Sequence, residues 1–393
     1  MRINKTKTDC CGCTACENIC PHKAIVMQPD SLGFLYPKID DSLCVDCGLC
    51  EKICSFHTDY DKSLNLLNPV AYAVRHKDLQ EIQTSQSGAA FVAFSDWILN
   101  KGGVVYGVGY IGHFRVVHKK ATTKVERNEF KGSKYVQSDL NSVFSQVEED
   151  LKKGLIVLFS GTPCQTSGLR SYIKKSLQGN LFLVDVVCHG VAAPFVWEDY
   201  LNFLEKREGQ RLVKTNFRDK SFGWRSQVES FLFSNGKKKT YSFTFYTTMT
   251  IRQSCMECPY TNLKRPSDIT VADFWGIEKT KAVSMGIDNR GCSLVLLNTE
   301  KGRCWFEQVK NKMEYQEVSL RDCMQPQLSY PTELHPKRLE FEYLYTNKGF
   351  SYVLKYYGFI GWKHFVKRIM PKSINQTGAL TFLYQVKGEG THK

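Results

Sequence analysis

Nine of the sixteen cysteines precede residue 55, and eight of them fall into two equally spaced groups. From Cys10 the order is C-x2-C-x2-C-x3-C-P, and the same spacing recurs from Cys44 with Ser55 in place of the proline. Three thiolates two residues apart can wrap a tight loop around one face of a cubane cluster, while the fourth begins a helix and points away. Such a dense repeat in a long chain predicts metal ligation rather than disulfides.

The repeat has the spacing of bacterial dicluster ferredoxins, in which the fourth cysteine of each motif binds the other cluster. It therefore predicts two [4Fe-4S] clusters whose ligand sets cross. The first set is Cys10, Cys13, Cys16 and Cys54, and the second set is Cys44, Cys47, Cys50 and Cys20. Zinc is the alternative metal, although zinc sites normally use two close pairs of ligands. Cys11 lies outside both sets and is expected to line a cluster through its amide or its thiol.

Four later cysteines form another candidate group, which we call the third set. Its members are Cys164 and Cys188, each directly after an apolar strand-like run, and the pair Cys255 and Cys258. Two thiols at strand ends and one C-x2-C pair could make a further four-thiolate site, but free cysteine is equally often a small buried hydrophobe. Spacing alone leaves both interpretations open. The remaining cysteines have no partner nearby in the sequence and are expected to pack in the core: Cys292, Cys304 and Cys323.

The secondary structure expected around these thiols differs between the N-terminal part and the rest of the chain. Residues 24–39 read as a small β-hairpin between the two motifs, and a polar linker follows at about 56–69. Residues 155–174 and 181–206 each read as strand, loop and helix, and residues 86–102 have helical periodicity. Repeated strand–loop–helix units predict a sheet with ligand-binding loops at its strand ends.

One glycine motif invites a different interpretation. Gly107, Gly109 and Gly112 match G-x-G-x-x-G after a strand-like run. A dinucleotide fingerprint requires a following helix, whose N-terminus receives the pyrophosphate. The residues that follow, HFRVVHKK, are strand-like and basic. A Rossmann site is therefore not expected here.

Composition narrows the class of protein. The 393 residues carry a formal net charge of +14 and are 42% hydrophobic. No apolar stretch follows the N-terminal charges and no run is long enough for a membrane helix, so a cytoplasmic protein is predicted. A basic surface favours acidic partners. Nucleic acid is not expected, because no recognition helix, finger or RNA-binding signature is present.

The C-terminal residues form a distinct segment. Residues 347–372 mix aromatic and basic residues at helical spacing, and residues 373–393 are expected to be frayed. Such a helix usually packs its apolar face on its own domain. Peripheral contact with an anionic membrane is the alternative.

Residues 70–330 resemble the coenzyme F420 hydrogenase/dehydrogenase beta-subunit family, in which an N-terminal dicluster ferredoxin is a common fusion. The matching segments occur in one order: SQSGAAFVAFSDWIL, FKGSKYVQSDL, SGTPCQTSGLR, VDVVCHGV, CMECPYT, SDITVADFWGI and DNRGCSLVLLNTEKG. The resemblance implies an FAD site that is not of the Rossmann type. It also implies a third [4Fe-4S] cluster on the thiolates of the third set.

The resemblance further implies which residues bind the flavin. Three of them would open a helix with free N–H groups, three would supply a hydroxyl, a cation and an aromatic face, and two would lie between cluster and flavin. In that order they are Gln86, Ser87 and Gly88; Ser133, Lys134 and Tyr135; and Thr162 and Pro163. Ordinary capping or turn chemistry is the alternative for each. The ADFWG block around Asp273 has no role that can be derived from the sequence.

Together these features predict an α+β protein of three parts. A bacterial-type dicluster ferredoxin domain (1–60) is fused to an α/β flavin-binding F420 hydrogenase beta-subunit-like domain (68–340), and a helical C-terminal tail (341–393) follows.

The predicted function is that of an iron–sulfur flavoprotein oxidoreductase. Electrons would pass from ferredoxin or another redox protein through the clusters to FAD, or in reverse, and the flavin would reduce or oxidise a small substrate. Coenzyme F420 is one candidate. The basic, aromatic stretch 217–225 suits an acidic or planar substrate, or is a solvated turn. His189 could protonate a substrate, or be a structural histidine.

Two other classes of function remain. The first is an electron-transfer subunit that feeds a separate enzyme. The second is a non-redox iron–sulfur or zinc protein with a structural or nucleic-acid role.

Overall fold

The structure is a computed structural model that describes residues 3–56, 60–241 and 247–359. The N-terminal part contains two short helices and a hairpin. In chain order these are α1 (Ala15–Ile19), β1 (Ile25–Pro29), β2 (Leu35–Ile39) and α2 (Leu49–Lys52). β1 and β2 pair antiparallel, from Ile25 opposite Ile39 to Pro29 opposite Leu35, which confirms the predicted hairpin.

The rest of the described chain is built on a mixed sheet. Its strands are β3 (Asn65–His76), β4 (Val104–Ile111), β5 (Arg115–Ala121), β6 (Val157–Gly161), β7 (Leu181–Val186), β11 (Ile269–Asp273), β12 (Ser293–Thr299) and β13 (Met313–Val318). A separate antiparallel sheet contains β8 (Leu212–Asn216), β9 (Glu229–Phe233) and β10 (Lys238–Tyr241). The large sheet has the order β13-β3-β12-β11-β7-β6-β4-β5. β3 begins at Asn65, inside the stretch that the sequence predicted as linker.

Four neighbouring strands in the middle of the large sheet run parallel. β4 pairs with β6, β6 with β7 and β7 with β11, all in the same direction. Their carboxyl ends therefore lie along one side of the sheet, which we call the carboxyl edge. Loops that follow parallel strands at such an edge are the usual place for ligands in α/β folds. This arrangement confirms the expected sheet with loops at its strand ends.

Helices cover both faces of the sheet. They are α3 (Leu79–Thr84), α4 (Ala90–Asn100), α5 (Lys124–Arg127), α6 (Val143–Lys152), α7 (Pro163–Tyr172), α8 (Pro194–Glu208), α9 (Glu300–Val309), α10 (Arg338–Lys348) and α11 (Phe350–Tyr356). α4 and α9 pack on one face, where they bury side chains such as Val105, Leu158 and Val184. α6 and α7 pack on the other face against Tyr106 and Phe159. Successive strand residues thus contribute to opposite cores, as strand geometry requires.

The G-x-G-x-x-G glycines belong to a hairpin. Gly107 and Gly109 lie within β4, and Gly112 has a φ of +52° in the turn to β5. A Cβ added at Gly107 would lie 2.6 Å from Cδ2 of Phe130, so the glycine makes room for that ring. These glycines serve packing and turning, and a strand follows them where a dinucleotide site would need a helix.

The described part of the predicted helical tail packs on the protein. Phe350, Val353 and Leu354 of α11 join a core that includes Trp197 and Leu201 of α8. The segment 360–393, and with it most of the predicted membrane contact, lies outside the described residues. Within the described ranges, no helix has the length and apolar character needed to cross a membrane.

Replacing Gly107 by Ala should destabilise the fold by about 1–3 kcal/mol, because the new methyl group overlaps the Phe130 ring and overpacks the core. The measurement is the urea midpoint of unfolding under anaerobic conditions. Gly179→Ala is the matched control, since a Cβ there meets nothing within 4 Å. Equal midpoints for the two variants would contradict this account of Gly107.

Candidate functional site

The four thiols of the first set line one cavity. Cys10, Cys13, Cys16 and Cys54 surround a space of about 320 Å³, whose other walls include Ile3, Met27 and Phe56. All four cysteines are buried. Burial, together with the nearby Cys13, Cys10 and Cys54 thiols, raises the pKa of Cys16 well above its usual value. Thiols so placed give up their protons readily only when a cation compensates the charge, as a bound metal does.

The thiols of the second set line a second cavity. Cys20, Cys44, Cys47 and Cys50 surround about 360 Å³. The two sets cross because Cys20 caps the end of α1 and Cys54 follows α2, and these two helices pack together. Cys47 is exposed, as are three apolar side chains around it: Leu43, Val45 and Leu49. The second cavity is thus bordered by exposed apolar side chains.

The third set assembles at the carboxyl edge. Cys164 is the second residue of α7, directly after β6, and Cys188 lies two residues after the parallel neighbour β7. Cys255 and Cys258 come from a 3-10 turn that begins at Gln253. Burial and the charges of the other thiols raise the pKa of Cys255 to about 12 and that of Cys258 to about 11. The same causes raise the pKa of Cys188, so the four thiols are mutual neighbours.

The three sets differ from a single-ion site. Within the described residues, no group of three or more His, Cys, Asp or Glu side chains is placed to hold one metal ion. What the first and second sets share is a cavity that four cysteines line.

Cys11 connects the first set to the third. Its thiol lies in the same core cluster as those of Cys13 and Cys164 and interacts with both. These contacts raise the pKa of Cys11 and lower that of Cys164 to about 7. Gly168 lies one helical turn after Cys164 on α7, and a Cβ there would come 2.8 Å from the Cys13 sulfur. The spare thiol therefore lies at the junction of two cysteine sets.

A buried arginine, which sequence reasoning missed, lies beside this junction. Arg252 donates from Nε to the Cys10 carbonyl (2.8 Å) and from its two terminal nitrogens to Gln137 Oε1 (2.7 Å) and the Leu35 carbonyl (2.9 Å). Its guanidinium also lies 4.2 Å from the ring centroid of Tyr36. Burial lowers the pKa of Arg252, but Tyr36 and the nearby thiols outweigh this effect and raise it. No signal in the sequence marks this arginine.

The predicted flavin residues around position 87 form a strained turn before α4. Ser87 and Ala89 have φ of 54° and 62°, in the left-handed region that non-glycine residues rarely adopt. Ser87 Oγ donates to the Cys292 carbonyl at 2.7 Å, and a Cβ at Gly88 would lie 2.3 Å from the Val74 carbonyl oxygen. Gln86 Nε2 is buried and has no hydrogen-bond partner among the described residues. The helix begins at Ala90, after these residues.

Among the next three predicted flavin residues, Lys134 and Tyr135 contact different parts of the protein. Lys134 Nζ donates to the carbonyls of Glu129 (2.8 Å) and Lys131 (3.3 Å), and burial lowers its pKa to about 8. The ammonium of Lys134 is therefore hydrogen-bonded to backbone carbonyls of its own loop. The Tyr135 ring packs edge-on against Phe217, with ring centroids 5.7 Å apart, so Tyr135 faces the 217–225 loop.

Thr162, Pro163 and His189 have structural partners. Thr162 and Gln165 form the capping box of α7, with Pro163 at its first turn, and the Thr162 hydroxyl lies 3.2 Å from the Cys164 sulfur. The His189 carbonyl accepts a hydrogen bond from the Thr332 hydroxyl, and burial lowers the pKa of the imidazole. Thr162 and Pro163 therefore have the capping role that was expected as the alternative, and their contact with a flavin stays a prediction.

The 217–225 loop is anchored to the carboxyl edge through Asp273, the last residue of β11. Asp273 forms an ion pair with Arg218 and accepts a hydrogen bond from Trp224 Nε1 at 2.6 Å. The Trp224 ring is stacked on Trp275, with centroids 5.2 Å apart. Arg218 and Trp224 are buried, so the solvated-turn interpretation is wrong for them. Asp273 thus organises a cationic and aromatic cluster.

Lys220 brings that loop to the Ser87 turn. Its Nζ donates to the carbonyls of Ile82 (2.6 Å) and Ser87 (2.9 Å). Burial lowers the pKa of Lys220 to about 8. Lys220, which was not among the predicted flavin residues, is therefore the cation that is hydrogen-bonded to the Ser87 turn.

Two cavities that four cysteines each line, beside a third thiol group on an α/β sheet, are typical of an iron–sulfur protein of the electron-transfer class. Residues 9–58 match the 4Fe-4S dicluster domain. Residues 155–322 match the family described as coenzyme F420 hydrogenase/dehydrogenase, C terminus of the beta subunit. Both matches confirm the resemblance found in the sequence.

Among solved structures, one similar chain comes from the F420-reducing [NiFe] hydrogenase complex of Methanosarcina barkeri. It is 16% identical, the match covers 76% of this chain and 94% of that chain, and the TM-score is 0.45. The comparison with curated proteins found no match.

Replacing Cys20 by Ala should remove one cluster, about four irons per chain, because Cys20 supplies the crossed ligand of the second cavity. The measurement is the iron content of the anaerobically purified chain relative to the unmodified protein. Cys11→Ala is the control: it removes a thiol of the same loop that belongs to neither set, so iron content should stay unchanged. Equal losses in the two variants would contradict the ligand sets.

Proposed function

We propose that the chain is an iron–sulfur flavoprotein oxidoreductase with three [4Fe-4S] clusters and FAD. The observation that carries the proposal is the junction at Cys11, whose thiol contacts Cys13 of the first set and Cys164 of the third. A continuous series of thiol sets then leads from the exposed second cavity to the carboxyl edge. The boundaries 1–60, 68–340 and 341–393 are the proposed division of the chain.

The third set is supported as a cluster site by what surrounds it. The segment that follows Cys258 is fixed by Arg265, which donates to Asp185 Oδ1 (3.0 Å), the Val186 carbonyl (2.8 Å) and the Tyr260 carbonyl (2.5 Å). Asp185 and Val186 end the strand that precedes Cys188. One buried ion pair thus holds the C-x2-C turn against the strand end that carries another ligand. Thiolates in such a quartet are typical ligands of iron–sulfur clusters.

The residues at the Ser87 turn fit a flavin. Gln86 Nε2 is a buried donor that lacks a partner among the described residues, as expected of a group that meets a cofactor oxygen. An ammonium has three donors, and the structure describes two hydrogen bonds from Lys220. Tyr135, Trp275 and Arg218 supply aromatic and cationic faces nearby. When bound, FAD supplies both one-electron and hydride transfer.

The cationic and aromatic side chains around Asp273 also indicate the class of substrate. Arg218 lies over the Trp275 ring at 5.3 Å, and Lys220 adds a second buried cation next to it. A cationic and aromatic surface favours a small acidic or planar molecule, of which coenzyme F420 is the first candidate. His189 is the candidate proton donor by its position next to Cys188.

The partner that exchanges electrons with the chain would dock at the second cavity. Cys47 is exposed there beside the apolar side chains of Leu43, Val45 and Leu49. Ferredoxin or another redox protein of the cytoplasm is the proposed partner. If the chain has no substrate of its own, the same surface would serve the alternative function, an electron-transfer subunit of a larger enzyme.

The deciding experiment is anaerobic purification of the full chain, with quantification of iron, sulfide and flavin, and an assay of F420 reduction by reduced ferredoxin. We expect about twelve irons, four per cubane, and one FAD. Cys188→Ala should lower the iron content to about eight and leave the dicluster domain loaded. About eight irons and no flavin in the unmodified chain would refute the three-cluster flavoprotein. Full cofactor content without F420 reduction would favour another substrate or the subunit function.

Lys220→Met should lower flavin affinity by about tenfold to a hundredfold, because a charge-assisted hydrogen bond of about 1.5–3 kcal/mol is lost while side-chain volume is kept. The measurement is the dissociation constant of FAD from fluorescence titration of the flavin-stripped chain. Lys239→Met is the control, since Lys239 is a half-exposed lysine of β10 that pairs with Glu208. An unchanged dissociation constant in Lys220→Met would remove Lys220 from the flavin site.

A further inference from the structure

The guanidinium of Arg252 is a buried positive charge without an acidic partner in the described chain. Arg252 is 1% exposed, and no carboxylate of residues 3–56, 60–241 or 247–359 lies within ion-pair distance of it. Its three hydrogen-bond acceptors are neutral: two backbone carbonyls and the Gln137 side chain. Arg265 and Arg338, which are equally buried, are paired with Asp185 and Glu342. Arg170 resembles Arg252 in having only neutral hydrogen-bond acceptors, but it does not contact the first set through the hydrogen bonds that the structure describes.

A buried charge of this kind requires compensation. Moving an ion out of water is costly unless an opposite charge or a dense set of dipoles replaces the hydration. Carbonyl dipoles and the ring of Tyr36 supply part of this, and the rest must come from anions nearby. Cysteines of the first and third sets are close to the guanidinium: its Nε donates to the Cys10 carbonyl, and Cys255 is three residues further along the chain.

Arg252 touches the loop that carries the first set. Nε binds the Cys10 carbonyl, and a Cβ added at Gly12 would lie 3.1 Å from a terminal nitrogen of Arg252. Gly12 itself lines the first cavity and has a φ of +71°. Gln137, which accepts from Arg252, donates in turn to the Cys11 carbonyl at 3.0 Å. The guanidinium is therefore packed directly behind the first cavity.

Arg252 also belongs to the turn that carries the third set. The Cys255 amide donates to the Arg252 carbonyl at 3.1 Å, so backbone and side chain of one residue contact both cysteine groups. The second cavity, lined by Cys20, Cys44, Cys47 and Cys50, has no such contact with Arg252 among the described hydrogen bonds. The charge is thus placed asymmetrically with respect to the two N-terminal cavities.

We propose that Arg252 is a positioning residue that supplies the counter-charge for the cluster of the first set and holds its reduction potential above that of the second cluster. The inference rests on the proposed clusters. One-electron reduction adds one negative charge and no proton to a thiolate-bound cluster. A fixed cation next to Cys10 stabilises that added charge, and cluster potentials depend on net charge and hydrogen bonding of this kind.

The test is a potentiometric titration of the full chain with dithionite, in which EPR follows the reduced clusters. Arg252→Gln should move the midpoint potential of the first cluster to a more negative value. At a fixed potential, the ratio of reduced to oxidised cluster should fall at least tenfold, which corresponds to about 59 mV for one electron. Arg252→Lys keeps the charge and should stay closer to the unmodified protein. The second cluster is the internal reference and should not move. Arg303→Gln, which removes a half-exposed charge on α9, should leave every midpoint unchanged.

Gln137→Glu provides a second variant if Arg252→Gln does not fold. It places a carboxylate 2.7 Å from Arg252 at almost no change in volume and should lower the same midpoint. Full iron content with unchanged midpoints in both variants would overturn the inference, as would an equally large shift in Arg252→Lys. Absence of iron from the unmodified chain would overturn the proposed function instead, so the two failures are distinguishable.

Discussion

Parallel pairing of β6 and β7 is the constraint on which the site depends. The pairing aligns Ser160 with Val184 and Gly161 with Asp185, so both strands end side by side at the carboxyl edge. Cys164 and Cys188 follow these ends and become neighbours although a helix separates them in the chain. β11 pairs with the other side of β7 and brings Asp273 to the same edge. One sheet therefore positions the third set and the cationic, aromatic cluster together.

Burial explains why these groups must be compensated. Buried thiols with raised pKa values and a buried guanidinium with no carboxylate are each unfavourable alone. Placed together, a cation and the thiolates of the proposed clusters would offset one another. The backbone also approaches these groups closely. A Cβ at Gly12 would collide with Gln137, and a Cβ at Gly168 would collide with the sulfur of Cys13. Charge and packing thus favour the same arrangement of the junction.

Sequence reasoning reached the features that repeat or that form strand ends. The spacing of two motifs predicted the crossed sets, and periodicity predicted the hairpin and a sheet with loops at its strand ends. Lys134 and Lys220 show what cannot be predicted from the sequence. Both are lysines in family-like segments, but only long-range packing decides that Lys134 turns to its own carbonyls while Lys220 reaches Ser87. Arg252 likewise depends on the docking of the β1–β2 hairpin, which no local pattern encodes.

The contacts also order the three cysteine sets. Cys20 and Cys54 exchange places between the second and first sets because α1 and α2 pack together. Cys11 and Gly168 join the first set to α7, which carries Cys164. The first set is consequently in the middle, with the exposed Cys47 on one side and the carboxyl edge on the other. If the three sets hold the proposed clusters, a charge next to the middle set influences electron transfer toward both ends, whereas a charge at either end would act on one exchange alone. Arg252 lies next to the middle set.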